Sequence, residues 1–165
     1  MIDLYRMVVA SQIAAALQMF EECITKCPSA HWDDPVGRYP FWMVAYHTLC
    51  WVDMYLSVNE GSWQPESGET GLHPKGIGEL HEEYPSRRFD QAELIRYLEK
   101  CRIKLQTTMA DETETSLAGP SGFIRHPFTR AELHIYNLRH LAHHTGQLTA
   151  YLRRIHVETS WVKRA

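Results

Sequence analysis

His140 and His144 stand four residues apart in the run Asn137-Leu-Arg-His140-Leu-Ala-His143-His144-Thr-Gly146-Gln147, inside the most clearly helical stretch of the chain. Four residues is about one helical turn, so both imidazoles project from one face and can close on a single metal ion with little backbone adjustment. A third histidine, His47, lies midway along a separate apolar helical stretch. If the two helices pack side by side, the three imidazoles form a facial site with an open coordination position. That is the arrangement of a working metal centre and not of a closed structural one.

The chain has ten histidines, and with that many an i,i+4 pair arises on the order of once by chance, so context has to carry the reading. His140 and His144 lie beside a leucine stripe, where an unpaired imidazole costs free energy to bury. Hydrogen bonds alone are the alternative way to satisfy them. Leu141 follows His140, so the general-base glutamate of an H-E-x-x-H zinc hydrolase is missing. No Glu-x-x-His occurs either, which removes a ferritin-like di-iron centre. What is left is a mononuclear, nitrogen-rich site, suited to zinc, nickel, copper or iron.

Around this triad three residues are candidates for supporting roles. His143 points about 100° around the helix from its neighbour and reads as a rim or supporting residue. Gln147, one turn beyond, can orient a ligand or be a boundary amide. Cys50, one turn after His47, can face the metal or be a buried core thiol. Gly146, costly in a helix interior, reads as a mark of close helix packing. The other histidines, His31, His73, His81, His126, His134 and His156, read as surface or loop residues, and Gly119-Pro-Ser-Gly122 as a turn.

The elements that must position these groups are helical. A first helix is expected from Asp3 to Lys26, with Leu4, Val8, Ala15, Met19 and Cys23 inward and Pro28 ending it. A second runs from about Pro40 to Val58, its inner stripe Met43, His47, Cys50 and Met54. The third and fourth share one start signal. Phe89-Asp90-Gln-Ala-Glu93-Leu94 and Phe128-Thr129-Arg-Ala-Glu132-Leu133 each combine an N-cap, a Glu at the third helical position and a flanking hydrophobic pair. They open helices over Gln91 to Met109 and Arg130 to His156, the last carrying Leu138, Leu141, Leu148, Leu152 and Ile155 inward. The long Gly- and Pro-rich segment from Asn59 to Phe89 reads as a crossover between bundle ends and a candidate cover for a pocket, with Ala118 to Phe128 a second candidate cover. No strand-like alternation of useful length appears. The fold class is therefore an all-α four-helix bundle, a single domain over all 165 residues.

Composition narrows the partners. A formal charge of -3 lacks the clustered Lys and Arg of a nucleic-acid binder, and Arg153, Arg154, Lys163 and Arg164 read as a solvated helix end. Four cysteines without C-x-x-C spacing read as reduced, buried thiols in a cytoplasmic protein. The uncharged run Met7 to Phe20 continues directly into Glu21 and Glu22 on one helical pattern, so it reads as a domain helix, not a signal peptide or a membrane span.

The string His140-x-x-x-His144-x-Gly146-Gln147, with a lone histidine in the second helix, resembles the DinB/YfiT-like family of metal-dependent enzymes. The resemblance covers nearly the whole chain in helix order and loop lengths. It implies a four-helix bundle holding one divalent metal, zinc or nickel foremost, through His47, His140 and His144. Thr145 departs from the family pattern, which frequently has Arg at that position, where it bears on substrate charge. Characterised members resemble thiol-dependent enzymes: S-transferases using low-molecular-weight thiols, and a mycothiol-dependent isomerase. The implied activity is metal-assisted thiol transfer to a small electrophile, with hydrolysis second. A non-catalytic bundle that binds a metal or small ligand is the alternative. The family habit of pairing, together with Trp42 and Trp51 as aromatics left over by one bundle, leads to the expectation of a homodimer.

Overall fold

In the computed structural model, which describes residues 1–80 and 85–165, the long helices form where apolar spacing and caps place them. They are α1 (Ile2–Lys26), α2 (Phe41–Tyr55), α3 (Gln91–Asp111) and α5 (Arg130–Arg154), with a short α4 (Glu114–Ala118) before the last. The Asp90 side chain accepts from Glu93 N while the Glu93 side chain accepts from Asp90 N, the reciprocal box read from the sequence. Thr129 caps α5 by accepting from Glu132 N. α2 stops at Tyr55, short of Val58, and α4 escaped the sequence reading because a single turn has too little periodicity to stand out.

Hydrogen bonds between helices fix their directions. Tyr5 Oη donates to Ala131 O near the start of α1 and α5, and Cys23 Sγ contacts Thr149 Oγ1 near their ends, so the two run parallel. α3 opposes α1, since Gln91 at its start donates to Ile24 O and Cys27 O. α2 opposes α5 and runs with α3: Cys101 Sγ contacts Leu49 O, and Thr108 Oγ1 donates to Leu56 O. Because α2 and α3 point the same way, the chain between them must travel back along the bundle. The segment from Leu56 to Asp90 is that crossover.

Its anchor is His73. The imidazole lies between the hydroxyls of Tyr46 on α2 (2.8 Å) and Tyr97 on α3 (2.7 Å), and Tyr97 in turn donates to Asp53 Oδ2 (3.1 Å). Trp63 Nε1 donates to the same carboxylate, and Lys104 Nζ to its other oxygen. A second buried group joins α3 to α5, where Glu112 accepts from Arg130 (2.8 Å) and pairs with His134 Nε2 (2.9 Å). Burial opposes ionisation of Glu112, but hydrogen bonds from His134, Ser116 and Arg130 outweigh it and hold the carboxyl down at about 2.

These networks correct the reading of His134 as a surface or loop residue and show that His73, although in a loop, is buried. His73 and His134 are 1% and 0% exposed and not on the surface, because each finds partners from other elements that no local pattern announces. His126 is half-buried, His31 sits at the boundary and His156 is exposed, whereas His81 lies outside the described residues. The inward face of α1 is only partly the expected one: Ala15 and Cys23 are buried, but Leu4 and Val8 are 59% and 48% exposed, and Val9, Ile13, Leu17, Phe20 and Ile24 face the core. A helix apolar on most sides carries little information about its phase. α1 has the length and apolar character of a membrane span, with 44% of its most apolar window buried inside the bundle. Trp42 is buried and Trp51 half-buried against the core, so neither is a freely exposed aromatic. All four cysteines are free and buried.

Candidate metal centre

Every residue of α2 is buried except His47 and Trp51, which are one turn apart and face the same side. Opposite them, α5 presents His140 and His144. The Nε2 atoms of His47 and His140 stand 3.4 Å apart, and one nitrogen from each of the three imidazoles lies within 4.8 Å of the others. Two nitrogens bound at about 2.0–2.1 Å to one tetrahedral ion are themselves about 3.3–3.4 Å apart. His47 and His140 thus already have the spacing of two ligands, and the cluster can hold a metal ion.

The protonation states suit the same purpose. Burial lowers His47 to about 4, helped by the nearby charge of His144. It lowers His140 to about 3, with His144, His47 and His143 adding repulsion. His47 opens onto a pocket, yet enough protein crowds the ring that desolvation is the leading cause. His144 is also lowered by burial, partly offset by its bond to Gln147. All three rings are therefore neutral at pH 7 and keep a lone pair for a cation. His144 Nδ1 meets Gln147 Oε1 at 2.8 Å. An amide oxygen only accepts, so the proton sits on Nδ1 and Nε2 is the free nitrogen.

The other candidates stand around the cluster without being among its three ligands. His143 is exposed, its ring 5.0 Å from that of His144. Cys50 is 2% exposed, its Sγ 3.9 Å from His73 Nδ1, and burial raises its pKa well above the usual thiol range. That thiol joins the core network at His73 and also lines the pocket beside His47, without being one of the three clustered ligands. Gly146 corrects the sequence reading: it is exposed, and a Cβ built there meets nothing within 4 Å, so no helix packs closely against it. Thr145 faces the core and donates to Leu141 O, so this position does not look onto the pocket.

A pocket of about 520 Å³ opens beside His47 and His144. Its walls include Met43 and Trp51 of α2, Glu79 from the crossover, and Arg38 and Tyr39 from a small hairpin. That hairpin pairs β1 (Pro35–Val36) with β2 (Tyr39–Pro40), and Gly37 at φ 70 makes the turn. The sequence reading passed over it because two-residue strands show no alternation, although a glycine flanked by Val36 and Tyr39 was the available signal. Glu79 is held by Ser86 N (3.0 Å) and Ser86 Oγ (2.5 Å), which fixes the end of the crossover against the pocket. The segment around His126 lies elsewhere: His126 bonds Tyr55, whose ring stands 6.4 Å from that of His140.

A larger groove of about 1290 Å³ lies between the end of α2 and α3 and contains none of the three histidines. Its inner charges are already paired, Lys104 with Asp53 and Ser57, Glu112 with Arg130. The smaller pocket is where neutral, lone-pair-bearing groups converge, which is the better mark of a site.

Residues 12–148 match the profile of the DinB superfamily. None of the curated proteins matches the chain.

Proposed function

The chain belongs to the DinB superfamily, and on that premise we propose that it is a mononuclear metalloenzyme transferring a low-molecular-weight thiol to a small electrophile. The observation that carries this reading is the 3.4 Å approach of His47 Nε2 to His140 Nε2 beside a pocket. His47, His140 and His144 would hold the ion, zinc or nickel in the first instance. When bound by three neutral imidazoles, a divalent ion supplies an uncompensated charge that favours the deprotonated form of a thiol or of water.

The chain's own residues supply the rest. Gln147 fixes the tautomer of His144, so that Nε2 always faces the cluster. Met43 and Trp51 give the pocket an apolar wall that excludes water from the approach of an electrophile, and the hairpin carrying Arg38 and Tyr39 shapes its mouth. No side-chain base is required, because a thiol surrenders its proton to solvent when its anion is stabilised. That suits a cluster with no H-E-x-x-H glutamate.

The test supplies bacillithiol, mycothiol, glutathione and cysteine in turn with monochlorobimane, comparing metal-loaded protein, stripped protein and His144→Ala. A metal-dependent rate lost in the variant supports transfer. A fully occupied site with no acceleration by any thiol favours the non-catalytic binding protein. We also propose a cytoplasmic homodimer. The buried, unpaired thiols suit a reducing compartment, and the exposed Leu4, Met7 and Val8 of α1 offer an apolar face. A monomeric mass in light scattering at micromolar concentration contradicts the dimer.

A further inference from the structure

Among the described residues, two of the buried polar atoms that lack a hydrogen-bond partner are His140 Nδ1 and Asn137 Oδ1. They belong to residues one turn apart on α5, whose side chains share a face. Asn137 is 1% exposed, and its amide orientation is set from the other side, because Nδ2 donates to Val52 O of α2 (3.4 Å). The oxygen is thus turned away from Val52 with no donor, at the cost an unsatisfied buried acceptor carries.

His140 directs Nε2 at the cluster. An imidazole that gives its Nε2 lone pair to a cation must carry its proton on Nδ1, and such a proton ordinarily goes to an acceptor that fixes the ring. His134 Nδ1, one turn before Asn137, is also unpartnered, but it needs the opposite group. Its Nε2 faces the Glu112 carboxylate (2.9 Å), which only accepts, so Nε2 carries the proton and Nδ1 keeps a lone pair. An amide oxygen cannot serve it. Among the unpartnered buried atoms of α5, the proton that lacks an acceptor and the acceptor that lacks a proton belong to His140 and Asn137, which do not bond each other in this structure.

We propose that Asn137 is a positioning residue for the metal ligand His140, its Oδ1 taking up the Nδ1 proton when the ring gives its Nε2 lone pair to an ion and thereby holding Nε2 on the cluster. This rests on the three-histidine metal reading. The residue touches neither the ion nor a substrate. Its effect runs through the orientation and basicity of one imidazole.

The experiment measures zinc affinity by competition with a chromogenic chelator for wild type, Asn137→Leu and Asn137→Asp, each stripped and refolding-checked by circular dichroism. Leucine keeps the volume and removes the acceptor, so affinity should fall roughly 10- to 100-fold. Aspartate restores a stronger acceptor, so affinity should equal or exceed wild type even if the stripped protein melts lower. A residue with a merely structural role would give the order of thermal stabilities instead, with aspartate weak. If the leucine variant fails to fold, proton-nitrogen correlation spectra of zinc-loaded wild type decide the matter. A slowly exchanging His140 Nδ1 proton is expected, and its absence overturns the proposal. Wild-type protein that binds no zinc sinks the metal reading itself, whereas wild-type and leucine proteins of equal affinity sink only the role of Asn137.

Discussion

His47 and His140 are 93 residues apart in the chain, yet their Nε2 atoms meet at 3.4 Å. Neither helix could bring this about alone. The meeting needs the middle of α2 packed against the middle of α5, and the crossover through His73 is what returns the chain so that α3 and α5 can close the bundle.

The crossover anchor makes stability acid-sensitive. Burial lowers His73 to about 4 from 6.5, so the unfolded chain binds a proton that the folded chain refuses between those values. The stabilisation is complete above about 6.5 and is lost as pH falls toward 4. Urea melts of the stripped protein should show midpoints falling across that window. His47 and His140 act in the same direction, so His73→Gln should flatten the slope by about one proton and not abolish it. A midpoint that rises on acidification contradicts the assignment.

Replacing His73 by leucine removes the partner of two buried tyrosine hydroxyls. Tyr97 keeps Asp53, but Tyr46 is left with no replacement that the structure shows. A loss of roughly 2–4 kcal/mol is expected in chemical denaturation, the size of a broken buried network. A change below about 0.5 kcal/mol, ordinary for a surface position, is the outcome that defeats it.

Gly146→Ala should stabilise. The residue lies inside α5, its backbone is helical, and the added Cβ meets nothing within 4 Å. Removing the entropy of a helical glycine is worth roughly 0.5–1 kcal/mol. Zinc affinity should stay unchanged, since the position looks away from the cluster. Destabilisation in the same melts would mean that some contact requires the glycine.

Much of the arrangement was legible before any coordinates. Periodicity and the duplicated cap located the four long helices, because those signals are local: Asp90 and Thr129 act on amides three residues away. The pairing of His140 with His144 was legible for the same reason, being one turn of one helix. His73 and His134 were not, since their partners come from α2, α3 and the segment around Glu112, and a histidine in a loop looks the same whether it is solvated or clasped. The inward face of α1 was legible only in part, at Ala15 and Cys23, because of its excess of apolar residues, and the hairpin at Gly37 was lost to its brevity. Asn137 carried no pattern at all. Its interest appears only when the orphaned atoms of α5 are matched with one another.

The central claim is that three histidines from two helices hold one ion, and the most direct measurement is metal content. Stripped protein is incubated with excess zinc or nickel, desalted, and analysed by elemental mass spectrometry beside His47→Ala, His140→Ala and His144→Ala. The account predicts about one ion per wild-type chain and a large loss in every variant, His47→Ala included, although that residue stands in a different helix from the pair. Retention of metal by His47→Ala at wild-type affinity contradicts it, and the site would then have to be built on α5 alone.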